Sequence, residues 1–188
     1  MNYYNAKESN TSFLLGQDLT QLILSNRQEC QPIVMLCIGT DRATGDCLGP
    51  LIGSNLLLHE VPINIYGTLT NPVHAMNLTE TLDHIYATHQ NPFLIAIDAC
   101  LGTKEHIGYI TLEEGGLYPG ESIKKNLPYV GDISMTGIVN QAVHSNFFIL
   151  QSTRLHIVMN LANIISNSIS FAMQEIRYRT KKNPVDIH

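Results

Sequence analysis

Short apolar runs alternate with amphipathic stretches along most of the chain. Residues 33–38 and 93–98 are apolar at nearly every position, which is typical of strands buried on both faces of a parallel sheet. Residues 11–26 instead repeat apolar side chains every three or four positions, as an amphipathic helix does. The pattern up to residue 112 predicts, in chain order, a helix over 11–26, a strand over 33–38, a helix over 46–58, a strand over 63–66, a helix over 75–89, and strands over 93–98 and 108–112.

The later part of the chain has a less regular pattern. A glycine- and proline-rich segment over 115–130 predicts a long loop, and loops of that length are often functional. We expect a helix over 132–143, a strand over 147–150 and a final helix capped by Ser152. The core stripe of that final helix is expected to include Leu155, Val158, Met159, Ala162, Ile165 and Ile169.

Alternation of strands and helices indicates an α/β fold. We predict a three-layer sandwich in which a mostly parallel central sheet is flanked by helices and joined by right-handed crossovers. A chain of 188 residues fits one such domain over 1–188. Residues 1–10 and 180–188 are polar ends, which we expect to form flexible tails.

Composition narrows the classes of function. Hydrophobic residues make up 44% of the chain and charged residues 14%, which indicates a globular domain. The formal net charge of −5 and the absence of a basic face argue against nucleic-acid binding. The sequence has no signal peptide and no apolar run of membrane-spanning length, and its four cysteines form no CxxC pair. We therefore expect a soluble cytoplasmic protein without a membrane partner, either a monomer or a homo-oligomer.

Three aspartates lie where an α/β sheet commonly binds ligands, which is outside the carboxyl ends of its strands. Asp46 follows the first predicted strand, Asp98 ends the strand over 93–98, and Asp132 begins the helix over 132–143. Asp98 comes directly after five apolar residues, so its charge is expected to be partly buried and either paired or perturbed. Asp46 and Asp132 could instead serve as helix caps.

The segment over 38–50 reads "IGTDRATGDCLGP" and lies between two apolar runs. Its glycines allow a tight turn and a close approach of the backbone to a ligand. Asp41, Arg42 and Gly45 lie in this turn, and together with Thr136 they are further candidates for contacts with a substrate. The segment has no Walker lysine and does not match G-x-G-x-x-G, so it does not predict a nucleotide site.

Three motifs carry a family resemblance: "IVMLCIGTDRATGDCLGP" at 33–50, "LIAIDACLG" at 94–102 and "VGDISMTGIVNQAV" at 130–143. With these motifs the chain resembles the YyaC family of sporulation proteins, which are regarded as spore proteases. More distantly, it is similar to the germination protease of spore formers and to the hydrogenase-maturation endopeptidases, which share one α/β fold. The resemblance implies a peptidase that cleaves a protein or peptide during sporulation or germination, in the cytoplasm of the mother cell or forespore.

The resemblance also implies roles for the aspartates. Two aspartates are the proposed catalytic pair of the germination protease, and they correspond to Asp46 and Asp98. The leading hypothesis is therefore an atypical aspartic peptidase that needs no cofactor, in which one carboxyl group holds a proton and the other activates water.

The metal site of the maturation endopeptidases implies an alternative. Its three ligands correspond to Asp46, Asp98 and Asp132, and Asp132 replaces a histidine. Three carboxylates favour magnesium, manganese or calcium over nickel, and a divalent ion held there would assist amide hydrolysis by lowering the pKa of a bound water.

Two further hypotheses remain open at the level of sequence. Cys47 lies near a predicted helix N-terminus, where a thiol can become a nucleophile, but the adjacent Asp46 would raise its pKa. The chain could also be a binding protein that keeps the fold and the cleft without catalysis, because a fold alone does not establish a function.

Overall fold

A computed structural model describes residues 2–119, 127–142 and 146–182 of the chain. The strands are β1 (Asn2–Asn5), β2 (Ile33–Cys37), β3 (Asn64–Tyr66), β4 (Phe93–Gly102), β5 (Tyr109–Glu114) and β6 (Ile133–Gln141). The helices are α1 (Thr11–Asn26), α2 (Leu48–Leu58), α3 (Leu78–Thr88), α4 (Asn146–Gln151) and α5 (Leu155–Lys182). Two short 3₁₀ turns lie at Gly45–Cys47 and Lys104–His106.

The six strands form one sheet in the order β1-β5-β6-β4-β2-β3. Neighbouring strands from β6 to β3 are parallel, whereas β5 runs antiparallel to both β1 and β6. One face of the sheet packs on α1, α2 and α5 through side chains such as Met35 and Ile97. The opposite face packs on α3 through side chains such as Val34 and Leu94. The predicted three-layer α/β sandwich with a mostly parallel sheet is confirmed.

Within the segment over 132–143, Ile133–Gln141 form a strand, so the prediction of a helix is wrong. This strand is β6, which lies between β4 and β5 in the sheet. Ile133 and Met135 point into the core on one face, while Ser134 and Thr136 alternate with them on the other. The two-residue period of burial and the pairing with strands on both sides outweigh the weak helical propensity of the segment.

The predicted strand over 147–150 falls within α4, so this prediction is also wrong. A four-residue apolar run does not distinguish a strand from a helical turn. Leu150 is buried while Phe148 is exposed, as expected for two sides of a helix that lies on the surface of the domain.

The first residues of the chain belong to the sheet. Asn2–Asn5 form β1, which pairs with β5, so the expected flexible tail is wrong for these residues. The buried Tyr4 anchors the strand by donating its hydroxyl hydrogen to Asp18 Oδ2 on α1 at 2.5 Å. At the other end α5 continues to Lys182, and residues 183–188 lie outside the described part of the chain.

The final helix α5 begins at Leu155, so Ser152 does not cap it. The Ser152 hydroxyl donates instead to the carbonyl oxygen of Ile149. Val158, Ala162, Ile165 and Ile169 form the buried stripe as predicted. Leu155 and Met159 do not belong to that stripe, because they are 55% and 39% exposed.

Helix α5 is long and apolar enough to cross a membrane, by length and composition alone. Its buried stripe packs against α1 and α2, as well as against the sheet. This burial inside the domain is typical of the core helix of a soluble α/β protein.

Candidate functional site

The turn after β2 positions Asp46. The Thr40 N–H donates to Asp46 Oδ2 at 2.9 Å and to the Asp46 carbonyl oxygen at 3.1 Å, which closes the turn. Gly39 has φ +138°, and a Cβ at this position would collide with the Asp46 carbonyl oxygen. The turn therefore requires glycine at residue 39 for both its conformation and its close approach.

Asp98 lies on β4, on the face of the sheet that α3 covers. It follows Leu94 and Ala96 at two-residue spacing, and both of these belong to the apolar cluster under α3. The side chain is only 8% exposed, and its Oδ1 accepts a hydrogen bond from the Ala99 N–H at 2.8 Å. In the sheet register Asp98 pairs with Thr136 on β6.

One cavity of about 280 Å³ brings Asp46 and Asp98 together beyond the end of β2 and beside β4. The structure thus joins two of the three aspartates that the sequence selected. We name it the catalytic cavity after the role that the resemblance implies for Asp46 and Asp98. The other described residues that line it are Ile38, Gly39, Thr40, Arg42, His74, Ala75, Met76, Pro119 and Leu127.

Burial raises the pKa of Asp46 above its ordinary value. The hydrogen bond from the Thr40 N–H and electrostatic attraction to His74 lower this pKa and only partly oppose the effect of burial. Asp46 therefore keeps its proton to a higher pH than an ordinary exposed aspartate does.

The sequence reasoning missed His74. Val73 forms a parallel bridge with Ile38, and this bridge places His74 beside the end of β2. The Met76 N–H donates to His74 Nδ1 at 3.3 Å, and the His74 N–H donates to Asn77 Oδ1 at 2.8 Å. Because α3 begins only at Leu78, His74 lies in a strand-to-helix loop at the same edge of the sheet as Asp46. A histidine in a loop that follows a predicted strand was the signal in the sequence that could have identified it as a candidate.

Asp132 lies elsewhere on the sheet. Its Oδ2 accepts from the Leu94 N–H at 2.7 Å, and its own N–H donates to the Leu94 carbonyl oxygen at 2.7 Å. Leu94 precedes Asp98 by four residues of β4, which is a distance of roughly 13 Å along a strand. Asp132 thus fastens the beginning of β6 to the beginning of β4, away from the catalytic cavity.

The three-aspartate metal site is therefore not formed. Across residues 2–119, 127–142 and 146–182, no three His, Cys, Asp or Glu side chains are grouped so that they could hold a metal ion. The donor set that the resemblance implied does not fit a metal at this position.

The four expected substrate contacts have different surroundings. Arg42 lines the catalytic cavity, but Asp41 is exposed outside its lining. Thr136 also lies outside the lining, and its hydroxyl shares a hydrogen bond with the Thr111 hydroxyl at 2.7 Å. Gly45 packs against Leu150 of α4, where a Cβ would approach the leucine side chain to 2.9 Å. Gly45 is thus required for packing, and it lies outside the described lining of the catalytic cavity.

Cys47 is buried and its Sγ donates to the Thr44 carbonyl oxygen at 2.9 Å. Burial and the nearby Asp46 raise the pKa of this thiol. Both effects disfavour the thiolate, so the surroundings of Cys47 argue against its role as a nucleophile.

The raised pKa of Asp46 makes a prediction about stability. Asp46→Asn is expected to unfold at a higher urea concentration than the wild type at neutral pH, because on folding the wild type must either bury a charge there or bind a proton. An amide oxygen at this position can still accept the Thr40 N–H. Since the folded state holds the Asp46 proton more tightly than the unfolded state, wild-type stability from this group is lost as pH rises from the unfolded to the folded pKa.

The advantage of the variant should therefore disappear at acid pH, where Asp46 is protonated in both states. Urea unfolding of the wild type and the variant at a series of pH values measures this difference in stability. The exposed Asp83 on α3 provides the control Asp83→Asn, which makes the same change in charge. If Asp46→Asn were no more stable than the wild type at neutral pH, the raised pKa of Asp46 in the folded state would be contradicted.

Comparisons with known proteins agree with the motifs. The family described as "Protein of unknown function (DUF1256)" matches residues 3–168. The protein YyaC of Bacillus subtilis (strain 168), which is described as uncharacterized, is 39% identical over 180 residues, covering 94% of this chain and 88% of its own length. The predicted resemblance to YyaC is thereby confirmed.

A solved structure also resembles the chain. The [NiFe] hydrogenase maturation protease HycI from Thermococcus kodakarensis KOD1 aligns with a TM-score of 0.48 at 13% identity, over 81% of this chain and 98% of its own. The family match covers most of the sequence, and the B. subtilis relative covers nearly all of it. The chain belongs to the DUF1256 family.

Proposed function

We propose that this protein hydrolyses peptide bonds and that Asp46 and Asp98 are its catalytic pair. The observation that carries the proposal is that both carboxyl groups line one cavity, at the edge of the sheet where α/β proteins bind their ligands. The same two residues lie in the motifs that resemble those of the germination protease.

Two carboxyl groups that share one cavity do not both ionise easily, which suits a division of roles. Asp46, whose pKa is raised by burial, holds the proton and donates it to the oxygen of the scissile carbonyl group. Asp98 takes a proton from a water molecule as the water oxygen attacks the carbonyl carbon. When the C–N bond breaks, Asp98 returns that proton to the leaving amine, and Asp46 regains its own as the carbonyl group re-forms.

Other side chains in the cavity would orient the reactants. His74 stabilises the Asp46 carboxylate that remains after the proton has gone to the carbonyl oxygen, so it acts on the reaction through Asp46 as a positioning residue. Arg42 lines the cavity mouth and carries the one guanidinium group among the described lining residues, so it can bind a carbonyl or carboxylate oxygen of the substrate. The mechanism requires no metal ion or other cofactor.

The substrate in this proposal is a protein or peptide of the sporulating or germinating cell, and the reaction takes place in its cytoplasm. This part of the proposal rests on the motif resemblance alone. Its test is to incubate the purified wild type, Asp46→Asn and Asp98→Asn with a spore-protein extract and to identify new peptide termini by mass spectrometry.

New termini that the wild type produces and both variants fail to produce would support the catalytic pair. Parallel samples with a chelator and with added divalent ions test the role of a metal, and we expect the chelator to leave cleavage unchanged. If the folded wild type cleaves nothing under any of these conditions, the protein is better explained as a binding protein on this fold.

Asp132→Ala separates the catalytic pair from the three-aspartate metal site. The substitution removes the hydrogen bond to the Leu94 N–H, so we expect a loss of about 1 kcal/mol in unfolding free energy. Because Asp132 lies away from the cavity, cleavage per folded molecule should not change. Urea unfolding and the cleavage assay measure the two effects. Loss of cleavage with unchanged stability would instead favour the metal site.

A further inference from the structure

A second and larger cavity adjoins the catalytic cavity. It encloses about 790 Å³, and His74 lines both cavities. We call this second cavity the β3 groove. Its lining residues in the described part of the chain are Leu57, Ile65, Tyr66, Gly67, Thr68, Thr70, Asn71, Pro72, Val73, His74, Asn77, Glu80, Thr81 and His84. A substrate that occupied the β3 groove could therefore continue past His74 to Asp46 and Asp98.

The β3 groove runs along an unpaired edge of the sheet. Strand β3 comes last in the strand order and pairs only with β2 among the described strands. Ile65 and Tyr66 of this strand contribute to the groove lining, and Asn64 is exposed. An edge strand presents unpaired backbone N–H and C=O groups, to which an extended peptide can add as a further strand.

The side chains of the groove suggest what such a peptide contains. Glu80, in the first turn of α3, is the one carboxylate in the described lining, and that lining includes no lysine or arginine. A lysine or arginine of a bound peptide would complement this charge. The exposed Leu57 and the Tyr66 ring, which stands edge-on to His84 at 6.0 Å between centroids, offer apolar surface to its neighbours.

We propose that the β3 groove binds an extended segment of the substrate polypeptide as an added strand beside β3, with a basic side chain directed at Glu80. The proposal rests on the proposed peptidase function, because it names the conformation and charge of the substrate that the catalytic cavity receives. It identifies the substrate class as unfolded or loop segments of proteins that carry lysine or arginine.

Binding is tested apart from cleavage in the Asp98→Asn variant, which is expected to leave peptides intact. Fluorescence anisotropy with labelled nine-residue peptides, identical except for Lys, Gln or Glu at the centre, measures the affinity. We expect the lysine peptide to bind most tightly and the glutamate peptide most weakly. Adding Glu80→Gln to the Asp98→Asn variant should weaken binding of the lysine peptide by roughly two- to fivefold, as expected for the loss of an exposed ion pair.

The same charge change at Glu8, which is exposed beside β1 at the opposite edge of the sheet, is the matched control. Glu8→Gln should leave all three affinities unchanged. Equal affinity of the three peptides, or equal effects of Glu80→Gln and Glu8→Gln, would overturn the assignment of the basic side chain.

Strand addition has its own signature. A peptide strand uses alternate backbone amides to pair with one neighbour, and β3 is only Asn64–Tyr66. N-methylation of single amides should therefore weaken binding only at the alternate amides of the short stretch that lies beside β3. A uniform effect or no effect along the peptide would overturn the added strand.

The two proposals can fail separately. Cleavage of spore proteins by the wild type, without lysine preference or an alternating N-methyl pattern in the binding assay, would reject the β3 groove alone. Lysine-selective, alternating binding by a protein that cleaves nothing would reject the peptidase and leave the β3 groove as a peptide-binding site.

Discussion

Asp98→Asn is expected to reduce the rate of peptide hydrolysis by roughly 10²–10⁴-fold, which is the usual contribution of one general acid or base. The amide is close to the carboxylate in size and can still accept the Ala99 N–H, so the fold around β4 should be retained. An amide cannot take a proton from water, and hydrolysis therefore loses its base. Cleavage rates of a substrate identified from the spore extract, measured at equal concentrations of folded protein, give the size of the effect.

The double variant Asp46→Asn/Asp98→Asn adds a second criterion. Residues that act as one catalytic unit have non-additive effects, so the double variant should be almost as active as the slower single variant. Asp83→Asn on the exposed side of α3 controls for the change in net charge and should retain the wild-type rate. Full activity of Asp98→Asn would exclude the proposed mechanism.

Gly39→Ala is expected to produce the largest loss of stability, about 3 kcal/mol, because an added Cβ would both collide with the Asp46 carbonyl oxygen and require φ +138°. For a domain of this size such a loss lowers the melting temperature by roughly 6–12 °C. Thermal unfolding followed by circular dichroism measures the change. Since the collision is within the turn that carries Asp46, residual activity per folded molecule should fall as well.

Gly108→Ala separates strain from collision. Gly108 also has a positive φ, +87°, but a Cβ there would meet nothing within 4 Å. The backbone strain alone should cost about 1 kcal/mol. Similar losses for Gly39→Ala and Gly108→Ala would show that the close approach between residue 39 and Asp46 does not matter for stability.

The sequence predicted the α/β sandwich because β2 and β4 are buried on both faces, and such strands leave a strong apolar signal. It did not predict β6, because alternating apolar and small polar residues in that segment were compatible with a helix as well. The distinction depends on β4 and β5, which bury β6 from both sides and are distant in the sequence.

The candidate site was predictable where it follows directly from strand ends. Asp46 and Asp98 were found because a ligand site at the carboxyl ends of parallel strands fixes where acidic residues matter. Asp132 was misplaced as a consequence of the error in β6. A strand that begins at Ile133 and runs parallel to β4 puts this aspartate at the amino ends of the strands, whereas Asp46 lies at their carboxyl ends. His74 was missed because its place beside Asp46 depends on the bridge between Val73 and Ile38, a long-range contact that the loop position alone does not show.

The packing of α1 against α5 has a consequence for biosynthesis. Helix α1 ends at Asn26 and α5 begins at Leu155, so its partner is translated about 130 residues later. At about 5–20 residues per second this interval is roughly 6–26 seconds. During this time Leu15, Leu19 and Ile23, which are fully buried in the finished protein, have no α5 to cover them. The nascent chain therefore exposes the apolar face of an amphipathic helix. We expect a ribosome-associated chaperone to bind this face until α5 has been made.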